Sequence, residues 1–175
     1  MPGPDDGLGK KAEEKLKLWL DNPDGGYSFD RIPDQMSGYY AVSRNICDFI
    51  CFKSPNQYYI ESKSTWNDRF EFQNISSTQS CGLNKKSKIS NCFGLITVLF
   101  ATYKRCFVFD IRDIRWLIEN GIKSINIKKI NKWKIPYQEI QTIKSKKELL
   151  DYTGSFEALV ADLQISRSFH EYEIK

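Results

Sequence analysis

Asp48 is followed thirteen positions later by Glu61-Ser62-Lys63, and these are the residues whose types and spacing best suit chemistry. Side chains along a strand alternate faces, so Glu61 and Lys63 emerge together and Ser62 points the other way. A hairpin turning about Pro55 and Asn56 would set Asp48 opposite Lys63 and Ile50 opposite Glu61, with all three charges on one face. Two carboxylates held together raise one another's proton affinity. A Mg²⁺ ion resolves that conflict, because it takes oxygen ligands and tolerates several waters; Mn²⁺ is the expected substitute. Such an ion polarises a phosphate and lowers the pKa of a bound water. Lys63 adds a positive charge to orient the attacking water or to stabilise the transition state. The backbone carbonyl of Ser62 is a natural further ligand. The chemistry expected is metal-assisted phosphodiester hydrolysis.

The same three charges also suit the water-facing side of an ordinary hairpin. Their flanks argue otherwise: ICDFICF (46–52) and YYI (58–60) are strongly apolar, and a charge set in a strand that seeks burial usually has a reason. Glu13 is a third candidate acid. It precedes Leu16 and Leu20 by three and seven residues and so borders an apolar helix face, where a solvated charge is an equal reading. Gln79 lies at the start of a weakly helical stretch, placed either to meet metal-bound water or DNA, or simply to face solvent.

The elements that must position these residues follow from periodicity. Ala12, Leu16, Trp19 and Leu20 form a stripe at helical spacing over 8–20, which Asn-Pro-Asp-Gly-Gly stops. Residues 27–32 alternate as a strand does, and 46–52 with 58–64 read as an antiparallel hairpin. A weak helix over 75–89 leads to Phe93–Thr102, a continuous apolar run typical of a buried central strand. A further strand (106–110), a short helix ending at Gly121, a helix near 146–152 and another over 155–163 complete the pattern. This order predicts an α/β domain with a central mixed sheet flanked by helices.

With 175 residues, 41% hydrophobic and 14% aromatic, the chain fits a single domain over 8–175 rather than a disordered polymer. Residues 1–7 read as disordered or appended, and 153–175 as an unplaced C-terminal extension. A net charge of +4 permits a polyanionic partner. Five cysteines without zinc spacing and a single histidine point to reduced thiols and a cytoplasmic protein. No apolar run is long enough to span a bilayer.

Taken together, the ordered motifs resemble the RecU family of Holliday-junction resolvases, within the PD-(D/E)xK nuclease superfamily and found in Gram-positive bacteria and their phages. Asp48 and Glu61-Ser62-Lys63 match its Asp and Glu-x-Lys at the usual separation. RFEFQNISSTQ (69–79), FGLITVLF (93–100), and GIKSI (121–125) with Ile135-Pro136 follow in the family's order. The similarity runs from about 8 to 152 and implies a restriction-endonuclease-like core. It implies that Asp48, Glu61 and Gln79 belong to a metal site and that Lys63 stabilises the transition state. GKKAEEKL (9–16) is similar to the Gly-x-x-x-Glu opening of archaeal resolvases, which favours Glu13 over Glu14. The chain departs from the family where Ile46 replaces a Thr two positions before the Asp. It departs again in leaving only about a dozen residues between Pro33 and Asp48, where the family carries a stalk that engages the junction.

The resemblance implies branched DNA as substrate and a homodimer, since a two-fold pair of sites suits a four-way junction. Arg44, Lys53, Lys85, Lys86 and Lys88, with lysines 128, 129, 132 and 134, form a candidate phosphate-binding surface. Tyr39, Tyr40, Trp66 and Phe70 are candidate aromatic anchors. Two other readings stay open: a same-fold nuclease acting on other branched or duplex DNA, and a catalytically idle DNA-binding module.

Overall fold

Apolar periodicity turns into layers here. The computed structural model describes residues 7–21, 26–33, 45–143 and 151–170. Helix α1 (Leu8–Leu20) buries Leu8, Ala12, Leu16 and Leu20, four residues apart along one side. Strands β1 (Ser28–Arg31), β2 (Phe49–Lys53) and β3 (Asn56–Thr65) follow. Short β4 (Arg69–Glu71), a 3₁₀ turn and helix α2 (Ser77–Ser87) then cross back to β5 (Cys92–Phe100). Strand β6 (Arg105–Asp110) runs directly into α3 (Ile111–Glu119). Short β7 (Ser124–Asn126), β8 (Gln138–Glu139), β9 (Thr142–Ile143) and β10 (Asp151–Tyr152) precede helix α4 (Phe156–Ser168).

The main sheet is ordered β1-β2-β3-β5-β6-β8, and its one parallel pair is β3 with β5. A parallel neighbour requires a crossover connection, which the segment containing α2 supplies. One face carries Tyr59, Ile96, Val98, Phe107 and Phe109 against α2 and α3. The other carries Tyr58, Ile60, Leu95, Leu99 and Val108 against α1 and α4. The α/β class and the helix-flanked mixed sheet are those expected. From Gly94 onward β5 is buried on both faces, which is why its sequence reads as an unbroken apolar run. Gly94 itself lets α2 come close: its N–H donates to Ser87 Oγ at 2.8 Å, and an added Cβ would sit 2.5 Å from the Leu83 carbonyl oxygen.

Three expectations change. The hairpin turns on Ser54 and Pro55, with Lys53 paired to Asn56, so Phe49 faces Ile60 and Asp48 falls opposite Glu61 rather than Lys63. The slip is two residues, so every side chain keeps its face. The helix expected near 146–152 mostly lies outside the described residues, but its end, Asp151–Tyr152, is strand β10 paired with β9. Tyr152 packs edge-on against Trp19 of α1, and Asp151 pairs with Lys15. Helix α4 continues five residues past the expected end at 163. Among the described residues, no helix is long and apolar enough to cross a membrane.

Candidate active site

Asp48 stands at the mouth of β2, held on both sides by backbone. Its N–H donates to the Ile60 carbonyl at 3.0 Å, and its carbonyl accepts from Ile32 N–H at 2.8 Å. Its Oδ2 accepts from Ser62 N–H at 2.7 Å. Across from it, Glu61 is 3% exposed. Glu61 lies on the α2 side of β3 by the alternation that puts Tyr59 in the core there. Glu61 Oε1 accepts from Lys63 Nζ at 2.7 Å and from Gln79 Nε2 at 2.5 Å, whereas Oε2 is buried with no hydrogen-bond partner. Burial pushes the Glu61 carboxyl up to about 7; Asp48 adds to the rise and Lys63 opposes it. Cys47 is buried beside this pair, and its thiol is pushed up to about 12 by burial and by both carboxylates, which leaves it inert.

Gln79 reaches the carboxylates from the first turn of α2. Ser76 caps that helix, its Oγ accepting from Gln79 N–H at 3.2 Å. In return Gln79 Oε1 accepts from Ser76 N–H at 3.0 Å, which closes a capping box, and also from Lys63 Nζ at 3.2 Å. Ile46, two positions before Asp48, packs on α2: a Cβ at Gly82 would lie 2.3 Å from its Cγ2. Thus α2 braces both the Asp48 segment and Glu61.

The structure therefore gathers Asp48, Glu61, Ser62, Lys63 and Gln79. Glu13 comes to the same end of the sheet from its other face: α1 packs opposite α2, and the Glu13 carboxylate pairs at 2.6 Å with Arg31, which stands opposite Phe49, one residue from Asp48. Lys53 lies at the far end of β2, about 17 Å along the strand from Asp48. It pairs with Glu157 at 2.6 Å and stands 5.0 Å over the Tyr27 ring. Lys85 and Lys86 line a groove of ≈ 460 Å³ with Ile46, Thr78, Cys81, Gly82 and Ile89, and Lys86 stands 4.9 Å over the Tyr59 ring. Lys88 caps the C-terminal end of α2. Of the other lysines, Lys128 pairs with Asp68 at 2.5 Å, and Lys132 covers Trp133. Phe70 is fully buried and Trp66 exposed, so only the latter is available as an anchor. Arg44, Tyr39 and Tyr40 lie outside the described residues. Sequence reasoning passed over Ser76; the Ser-x-x-Gln spacing of a capping box was its signal.

Among the described residues, no cluster of three or more His, Cys, Asp or Glu side chains gathers to hold a metal. Two carboxylates, one with a bare buried oxygen, still fit a hard divalent cation that keeps most of its own waters. They do not fit zinc, which favours nitrogen and sulfur donors.

Two acids and a lysine thus meet on a hairpin at the centre of the mixed sheet. The family model for Recombination protein U matches residues 29–158, about three quarters of the chain. The chain belongs to this RecU family, a family of Holliday junction resolvases. The match leaves out α1 with Glu13, and most of α4. A search of curated proteins gives no match. Among solved structures, the chain is similar to Hjc, a Holliday junction resolvase from the archaeal hyperthermophile Archaeoglobus fulgidus. That likeness has 9% identity and a TM-score of 0.45, and covers 90% of this chain and 99% of the other.

Proposed function

We propose that this chain is a Mg²⁺-dependent, structure-selective endonuclease that resolves four-way DNA junctions by phosphodiester hydrolysis, with Mn²⁺ able to substitute. The observation that carries the reading is Glu61 Oε2, a buried carboxylate oxygen that receives no N–H or O–H donor, on a side chain in contact with the Asp48 carboxyl. Leaving such a group bare costs stability unless a cation meets it. Asp48, Glu61 Oε2 and the Ser62 carbonyl would hold the ion. The strand pleat sends that carbonyl to the same side as the Ser62 N–H that meets Asp48. The ion, when bound, activates the phosphate and acidifies a water.

The protein does the rest. Asp48 is fixed by the backbone of β3, so it needs no rearrangement to bind. Lys63, 18% exposed and drawn to Glu61 Oε1, keeps its ammonium at the edge of the acid pair, where charge grows on the phosphate. The groove along α2 brings Lys85 and Lys86 to the DNA backbone, a contact that positions substrate without reading sequence. Membership in the family supports branched DNA as substrate, a homodimer presenting two sites, and work in the cytoplasm.

The test sets a four-way junction, a replication fork and a linear duplex side by side, with Mg²⁺ and then with EDTA. Symmetric paired nicks in the junction alone, abolished by EDTA, are expected. Equal cutting of all three would replace the junction reading with a general nuclease, and binding without cleavage would leave a DNA-binding module. Lys63→Ala is expected to abolish cleavage while junction affinity stays within a few-fold; loss of both would make Lys63 a phosphate anchor instead.

A further inference from the structure

The amide of Gln79 has a chemically unequal pair of ends, and in this site their assignment is fixed by backbone. An amide oxygen accepts and an amide nitrogen donates, so a Gln side chain turned over would present the wrong group to each neighbour. Here Oε1 lies 3.0 Å from Ser76 N–H and 3.2 Å from Lys63 Nζ, both obligate donors. Turning the amide over would set NH₂ against a backbone N–H and an ammonium. The same turn would bring an oxygen against Glu61 Oε1, now 2.5 Å from Nε2. All three neighbours therefore demand one orientation.

We infer that Ser76 is a positioning residue of the site: its N–H holds Gln79 as a donor to Glu61 Oε1, leaving Oε2 as the one oxygen of Glu61 that faces a cation. Gln79 then acts through Glu61 and is not itself a metal ligand, because its oxygen is committed twice. Lys63 and Gln79 together saturate Oε1, so Glu61 binds the cation through a single oxygen. The start of α2 and the geometry of the acid pair become one unit. This inference rests on the reading of Glu61 as a cation ligand.

Ser76 allows a clean test, because its backbone suits proline. Its φ is −66° and ψ 157°, and Ile75 before it is extended at φ −98°, ψ 113°. Ser76→Pro removes the N–H and puts a ring carbon between that nitrogen and Gln79 Oε1, now 3.0 Å apart, while Ser76→Ala removes only the hydroxyl and keeps the N–H. The side-chain ¹⁵NH₂ resonances of Gln79, assigned by their loss in Gln79→Leu, are followed in the full chain without metal and with Mg²⁺. Mn²⁺ affinity is measured by calorimetry on the same proteins.

In the wild type and in Ser76→Ala, one Gln79 amide proton is expected to exchange slowly and to persist when Mg²⁺ is added. In Ser76→Pro that protection is lost, and Mn²⁺ affinity falls by about tenfold or more, as when other outer-shell partners of a metal ligand are removed. Wild-type protection and affinity in Ser76→Pro would overturn the inference. Should Ser76→Pro fail to fold, the wild-type resonance decides alone: rapid exchange in the metal-free chain, or loss of protection on adding Mg²⁺, overturns it. A wild-type chain that binds no Mn²⁺ but keeps the protected amide would sink the metal reading instead, and the two failures are thereby distinguished.

Discussion

Glu61 shows how far surroundings can carry a single side chain from its ordinary behaviour. Its carboxyl gains a proton near pH 7 in the fold and near 4.5 in the unfolded chain, so the folded state holds more protons between those values. The sign follows: the stability it contributes grows as pH falls from 7 toward 4.5, and above 7 the buried charge is a net cost. Glu61→Gln is therefore expected to stabilise the metal-free protein at pH 8 by on the order of 3 kcal/mol, since a tenfold change in proton affinity is worth about 1.4 kcal/mol. The gain should shrink toward pH 5. Thermal unfolding across pH, with and without Mg²⁺, checks this: Mg²⁺ should raise the melting temperature of the wild type and leave the variant unmoved. A variant less stable than the wild type at pH 8 would show that the acid pair is not strained. From sequence, the residue types and their shared face were readable, because strand parity depends only on alternation. The separate fates of Oε1 and Oε2 were not, since they depend on Gln79 and Lys63 arriving from particular directions.

At the scale of elements, helix α1 and strand β5 were plain in the sequence, one from its four-residue stripe and the other from its unbroken apolar run. The hairpin register was misplaced by two because the turn centres on Ser54 and Pro55, a local choice that apolar alternation does not determine. Strand β10 was misread because Lys-Glu-Leu-Leu ahead of it favours a helix, while the packing of Tyr152 on Trp19 is a long-range contact invisible to local preference. The seating of α2 rests on Gly94, where a side chain has no room. Gly94→Ala is expected to cost about 2 kcal/mol, within the usual range for overpacking a core. The same change should weaken Mn²⁺ binding, because α2 carries Gln79 to the site. Urea denaturation with calorimetry tests both; a stability loss without any change in metal binding would mean that the site tolerates movement of α2.

Across the whole molecule, α4 is tied to the far end of the sheet by buried charge. Asp110, at the end of β6, caps α3; burial opposes its ionisation, yet bonds from Arg112 and the charge of Arg167 hold it below the usual carboxylate range. Asp113 is fully buried, and burial pushes it up to about 6 even though Arg167 Nε donates to its Oδ2 at 2.7 Å. Removing Arg167 leaves that charge uncompensated. Arg167→Ala is expected to cost about 3 kcal/mol at pH 8, the range seen when a buried pair loses one partner. The loss should be smaller at pH 5, where Asp113 is protonated and carries no charge to strand. Chemical denaturation at the two pH values measures it, and an equal loss at both would assign the effect to packing alone. Adding Asp113→Asn should recover most of the stability.

The sole parallel pairing in the main sheet gives the site an order of assembly. Asp48 and Glu61 meet through a hairpin closed over a few residues, a local contact with little loop to order. Their neighbour β5 returns only after the crossover that includes α2, a longer and costlier closure. On that ordering the two acids come together while still wet and indifferent to one another. The arrival of β5 and α2 then dries them and makes Glu61 take up a proton near neutral pH. Proton and cation therefore compete for the same dried carboxylate, and a cation that binds near neutral pH must displace the proton that burial put there.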